Sequence, residues 1–112
     1  MDIQARTEQG VTVLDLRGSL DGTTAELLLH SLSEHIRAGS TRLVADFREV
    51  DYTSSAGLRA LLGSLKEARS SGGDLRLAGV APAVYRVLQL SGFTGILKTF
   101  DDASAAVRSY GA

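Results

Sequence analysis

The first pattern along the chain is a period of two. Ile3 to Glu8 alternates weakly, and Val11 to Arg17 (Val-Thr-Val-Leu-Asp-Leu-Arg) does so more strongly, with Gln9-Gly10 between them. Strand-forming residues on both sides of a glycine-containing dipeptide predict an N-terminal β-hairpin. Gly18 to Thr24 breaks this alternation, and the period then lengthens. Ala25, Leu28, Leu29, Leu32 and Ile36 recur at helical spacing until Gly39 stops them. Thr23, with Glu26 three residues later, predicts a capping box at the start of that helix. Arg42 to Phe47 carries the apolar run Leu43-Val44-Ala45 with Asp46 near its end, the pattern of a strand covered on both faces. Leu58, Leu61, Leu62, Leu65 and Ala68 mark a second helical face, which ends at Ser70-Ser71-Gly72-Gly73. Asp74 to Ala78 alternates as a strand. Ala81-Pro82-Ala83 then opens a helix with the proline in its first turn, where a missing N–H costs nothing. Val84, Val87, Leu88 and Ser91 face inward in this reading, and Gly92 closes the helix. Ile96 to Phe100 reads as a short last strand, and Asp101-Asp102 start a final helix through Tyr110. The order is ββαβαβαβα, which predicts an α/β fold with a mostly parallel sheet and helices against it.

Composition narrows this picture without redirecting it. The 112 residues suffice for one core and are read as a single domain, 1–112. Hydrophobic residues make up 44% and charged residues 22%, the balance of a globular chain rather than a disordered one. The net charge of −1 is spread along the chain, so no basic footprint for nucleic acid or an anionic membrane is expected. There is no cysteine, which excludes disulfides and thiolate chemistry. With neither a signal-peptide pattern nor a membrane-spanning run, the cytoplasm is the expected compartment.

The candidate chemistry lies in Thr53-Ser54-Ser55-Ala56-Gly57, between the exit of a strand and the apolar face that begins at Leu58. Serine and threonine favour helix starts because a side-chain oxygen accepts from an N–H left over in the first turn. The same N–H groups and the helix dipole favour negative charge, so the segment suits a phosphate, bound or covalently attached. Capping alone also accounts for these residues. Other chemistries find no support. His30 and His35 lack the i, i+4 spacing of paired metal ligands, and no phosphate-loop glycine pattern is present. The segment lacks the first glycine of a Gly-x-Ser-x-Gly elbow, and both histidines lie far upstream of it. No metal, no cofactor and no enzymatic activity are expected.

Three segments together resemble the STAS-domain anti-sigma-factor antagonists. They are Gly18-Ser-Leu-Asp-Gly-Thr-Thr-Ala-Glu26, Asp51-Tyr-Thr-Ser-Ser-Ala-Gly-Leu58, and Val80-Ala-Pro-Ala-Val-Tyr-Arg-Val-Leu-Gln-Leu-Ser-Gly-Phe93. The resemblance spans almost the whole chain and implies a STAS-type domain, with a mostly parallel mixed sheet and helices packed mainly on one face. It implies a protein that, unphosphorylated, binds an anti-sigma factor which is also a serine kinase of the histidine-kinase-like ATPase fold. Phosphorylation of a serine at the start of the second helix then releases the complex, and a PP2C-type phosphatase resets it. Aligned on Gly57-Leu58, the phosphoacceptor is Ser55, with Ser54 in reserve. Members that modify the next position carry serine there, and this chain has Ala56, which has no hydroxyl. Ser54 also stands where many members have aspartate. The resemblance places Asp21 near the phosphosite, and it makes Asp21, Thr23, Thr53, Ser54, Ser55, Ala56, Gly57 and Arg59 the expected partner-binding residues. A monomer in isolation is expected. The other readings are an unmodified STAS scaffold and a module binding a small anion or nucleotide at the same helix start.

Overall fold

In the computed structural model, which describes residues 1–111, Gln9 and Gly10 both take positive φ, 50° and 79°. That geometry reverses the chain tightly. It sets Asp2–Glu8 (β1) antiparallel to Val11–Leu20 (β2), with Glu8 opposite Val11. Helix α1 (Ala25–Arg37) carries the chain to Arg42–Thr53 (β3), parallel to β2, and α2 (Ser55–Ser70) carries it to Asp74–Ala78 (β4). After α3 (Pro82–Leu90) and a 3₁₀ turn at Phe93–Gly95, the two-residue β5 (Thr99–Phe100) pairs parallel with β4, and α4 (Ala103–Arg108) comes last. The strands lie in sequence order across one mixed sheet, β1-β2-β3-β4-β5.

The alternation of β2 divides the interior in two. Leu14, Leu16 and Leu20 point to one face and pack with Leu28 and Leu32 of α1, Leu61 and Leu65 of α2, and Val84 and Leu88 of α3. Val11 and Val13 point to the other face, where Val44 and Ala78 meet Ala106 and Val107 of α4. Three helices therefore share one face, and only α4 covers the other. Both sides of β3 and β4 are buried as a result, which is why their sequences read as apolar runs rather than clean alternation.

Several local expectations change. β3 continues six residues past Phe47, through Thr53, because β2 runs on beside it and supplies hydrogen-bond partners. The last strand shrinks from Ile96–Phe100 to Thr99–Phe100, since Phe93–Gly95 tightens into the 3₁₀ turn. The final helix stops at Arg108, short of Tyr110. Leu29, assigned by spacing to the buried face of α1, is 37% exposed, and Ser91 at the end of α3 is exposed as well.

Tyr110 explains why α4 docks where it does. Its hydroxyl contacts the carbonyls of Leu43 (2.7 Å) and Asp74 (2.8 Å) and accepts from the Leu43 N–H (3.2 Å), tying β3 to β4. Burial, reinforced by Asp74, holds the phenol well above its ordinary pKa, so it stays protonated. The Arg76 guanidinium lies 3.9 Å from the Tyr110 ring centroid and shares the Asp74 carboxylate with Arg69 (3.0 and 3.1 Å). Burial pushes the Asp74 carboxyl up, but the bonds from Arg76 and Arg69 outweigh it, and its pKa lies below the usual value. Tyr110→Phe, which removes the hydroxyl from these contacts, should cost about 0.5–1.5 kcal/mol, measured by urea denaturation. Because the folded Asp74 titrates below its unfolded pKa of about 3.9, its stabilisation is complete above that pH and lost as pH falls through the folded value. Asp74→Asn should therefore flatten the acid limb of the stability profile.

Candidate functional site

β2 and β3 remain paired to their last residues, with Ser19 opposite Tyr52 and Leu20 opposite Thr53. The register slips between Asp15 and Arg17 and again between Gly18 and Ser19, where Gly18 takes a φ of 116°. Such irregularities bend a strand near a sheet rim and re-aim the side chains beyond them. The Ser54 N–H then donates to the Leu20 carbonyl at 2.8 Å. The loop entering α1 and the first turn of α2 consequently emerge side by side.

Asp21 organises the first of these segments. Its carboxylate accepts from the Thr23 hydroxyl (2.7 Å) and from the backbone N–H groups of Thr23 (2.9 Å) and Thr24 (3.2 Å). The Thr23 hydroxyl, together with these N–H groups, holds the Asp21 carboxyl below the usual carboxylate range, so it is ionised near neutrality. The expected Thr23–Glu26 capping box does not form. Thr24 occupies the N-cap without a side-chain cap bond, because its hydroxyl is turned toward the Ser19 carbonyl at 2.8 Å while accepting from the Asp21 N–H at 2.9 Å. The Asp21 carboxylate braces the turn just before the helix, and its backbone carbonyl accepts from the Ala25 N–H at 2.9 Å. The Asp-x-Thr-Thr order is the local signal for this brace, since aspartate side chains bond backbone N–H groups a little further along the chain. Nothing local to Ser19 or Thr24 announced their part.

The second segment is capped as its sequence suggests. Ser54 is extended (φ −98°, ψ 175°), and its Oγ accepts from the Gly57 N–H at 3.2 Å. Ser55 opens the helix proper, is exposed, and its hydroxyl makes no hydrogen bond among the described residues. The first turn of α2 contains no acidic side chain to complement its dipole. Nearby, Asp51 accepts from the Ser19 hydroxyl at 2.9 Å. One turn on, Arg59 is exposed and free of ion pairs among the described residues. It lines a groove of about 260 Å³ between α1 and α2, with Gly22, Ala25, Glu26, Leu29, Ala56 and Ala60.

The predicted contact residues thus fall into three layers. Thr23, Ser55 and Arg59 are exposed, Asp21, Ser54 and Ala56 are half-buried, and Thr53 and Gly57 are buried beneath them. Gly57 is there for space. A Cβ at this position would lie 2.7 Å from both Leu20 Cγ and Thr53 Oγ1, closer than real contacts allow. Its absence lets α2 sit down on the ends of β2 and β3. His30 is exposed and pairs with Glu34, outside this cluster. Among the described residues, no group of three or more His, Cys, Asp or Glu side chains is placed to hold a metal ion. No helix among them is long and apolar enough to cross a membrane.

The family model of the STAS domain matches residues 2–106. The chain belongs to the STAS family. It is 34% identical over 101 residues to BtrV of Bordetella bronchiseptica, named as a candidate anti-sigma factor antagonist, covering 90% of this chain and 87% of that protein. It is 28% identical over 103 residues to the anti-sigma F factor antagonist of Paenibacillus polymyxa, covering 91% and 88%. Among solved structures, the anti-sigma factor antagonist SpoIIAA in its unphosphorylated form superposes with a TM-score of 0.77 at 23% identity, covering 99% of this chain and 100% of that one. The phosphorylated form of SpoIIAA, a Bacillus cell fate determinant, gives 0.73 at 24%, covering 96% and 99%. At these identities the structural likeness establishes the shared fold.

Two substitutions separate packing from capping in this STAS domain. Gly57→Ala forces Leu20 and Thr53 aside and should cost about 1–3 kcal/mol in thermal or urea unfolding. Ser54→Ala removes one cap bond and should cost about 1 kcal/mol in the same assay.

Proposed function

We propose that this protein is a cytoplasmic anti-sigma-factor antagonist that binds its anti-sigma factor while unphosphorylated and releases it when Ser55 is phosphorylated. One observation carries the choice of residue. Ser54 and Ser55 are neighbours, but the Ser54 oxygen caps the Gly57 N–H whereas the Ser55 hydroxyl is exposed and uncommitted. A kinase can take Ser55 without dismantling the helix start. The names of the BtrV and Paenibacillus relatives support the antagonist role, and the two forms of SpoIIAA support phosphorylation within this fold. The partner in this reading is an anti-sigma factor with serine-kinase activity, on the histidine-kinase-like ATPase fold, and a PP2C-type phosphatase restores the free serine. The domain acts by binding, not by catalysis.

The physics favours release without unfolding. A phosphate adds about −1.5 to −2 charges at pH 7. At the N-terminus of α2 this charge is favourable to the helix itself, by roughly 0.3–1 kcal/mol. The cost falls on the complex, where the phosphate joins Asp21 and Asp51 in a surface that binding desolvates. Like charges brought together in a desolvated interface cost several kcal/mol, and ~1.4 kcal/mol is already tenfold in affinity.

Ser55→Asp should therefore weaken binding to the anti-sigma factor at least about tenfold, while stability stays within roughly 0.5 kcal/mol of wild type. Isothermal titration and thermal unfolding read the two quantities, and unchanged affinity for the aspartate and phosphoserine forms alike would refute the reading. Peptide mass spectrometry of the protein from its native host should map one phosphate to Ser55, absent in a Ser55→Ala control. A phosphate on Ser54 would move the site by one residue, and none on either serine would remove the switch.

A further inference from the structure

We propose that Arg59 is the internal partner of the phosphate on Ser55, so that modification withdraws a cation from the α1–α2 groove as well as adding negative charge. The inference rests on the phosphoserine reading above. Ser55 and Arg59 are separated by one turn of α2, i and i+4, with the future anion on the N-terminal side. That spacing brings side chains together on a helix surface, and this order of charges is the favourable one. Neither side chain is committed elsewhere among the described residues, and both are exposed. Arg6, Arg17, Arg69 and Arg76 are occupied by Asp15, Glu49 and Asp74. Arg37, Arg42, Arg48, Arg86 and Arg108 form no ion pair among the described residues either, but none of them lines the groove beside Ser55.

The surrounding acids leave Arg59 free. Asp21 is engaged by Thr23 and Thr24, Asp51 by Ser19, and Glu26 lines the same groove without forming an ion pair with the arginine. Arg59 is the one cation among the groove's described lining residues. In the unmodified protein the guanidinium therefore stands open in a groove it shares with Glu26, Leu29 and four glycine or alanine residues, suited to a carboxylate on the partner. A phosphate on Ser55 offers three strong acceptors to a planar five-donor fork and takes that guanidinium first. Release then comes from a lost attraction together with a new repulsion.

The test uses full-length protein with phosphoserine inserted at position 55 during translation, so that its outcome does not depend on any cellular kinase. The second ionisation of the phosphate is monitored by ³¹P NMR against pH. The expected midpoint in wild type is roughly 0.2–0.4 unit below that in Arg59→Gln. Arg59→Lys should recover part of the shift, and raising the salt to about 1 M should shrink the difference. Asp21, Glu26 and Asp51 are present in all three proteins and cancel from the comparison. Because Arg59 is exposed and unbonded, the unmodified Arg59→Gln protein should keep the wild-type unfolding midpoint, which separates a lost clamp from a damaged fold. Equal phosphate midpoints in wild type and Arg59→Gln would overturn the proposal. A Ser55 that never carries phosphate in the native host would refute the switch instead, whatever the titration shows.

Discussion

The pairing of β2 with β3 out to Leu20 and Thr53 is the constraint on which this structure turns. Two parallel strands must be joined by crossovers, and right-handed crossovers place α1 and α2 on the same face of the sheet. Their N-termini come together because both strands end at the same level, where the Ser54 N–H meets the Leu20 carbonyl at 2.8 Å. Gly57 completes the arrangement by leaving no Cβ between α2 and the side chains of Leu20 and Thr53. Were that space filled, the Leu20 and Thr53 side chains would have to give way beneath the first turn of α2.

The result is a division of labour by depth. Thr53, Gly57, Leu58 and Leu61 belong to the packed interior, and Asp21, Thr24 and Ser54 satisfy polar groups at the two helix starts. Among the predicted contact residues, Thr23, Ser55 and Arg59 are left facing water. A rigid base carrying a few exposed polar groups suits a surface that responds to charge. In the proposed switch, a phosphate on Ser55 would meet a helix start already capped by Ser54, so the helix would have no cause to rearrange. Its effect would be electrostatic and would fall on whatever sits on the surface.

The opposite face contributes stability without sharing the site. α4 buries Ala106 and Val107 against Val11, Val13 and Val44, and the Tyr110 hydroxyl ties β3 to β4 at the far end of the sheet. The Asp74–Arg76–Arg69 cluster reinforces the same end. β3 therefore has one end fastened by Tyr110 and the other by Leu20 and Gly57, and the Ser54 segment extends from a strand that is anchored at both.

The sequence by itself determined the order of elements, the hairpin at Gln9-Gly10, the buried stripe of α2 and the serine cap that begins it. Each is a local matter: periodicity, a turn dipeptide, or an oxygen within three residues of the N–H it serves. The resemblance carried by three short segments extended that reading to the STAS family. Tertiary structure decided the rest, because the partners involved are distant in the chain. β3 runs to Thr53 only because β2 lies beside it, and α1 starts without a side-chain cap because the Thr24 hydroxyl is drawn away to Ser19. Leu29 is exposed because its position on α1 lies beside an open groove rather than over the sheet. Ser54 and Ser55 both suit a helix start, and only the resemblance ranked Ser55 first; the structure separates them by committing the Ser54 oxygen to the Gly57 N–H and leaving Ser55 exposed.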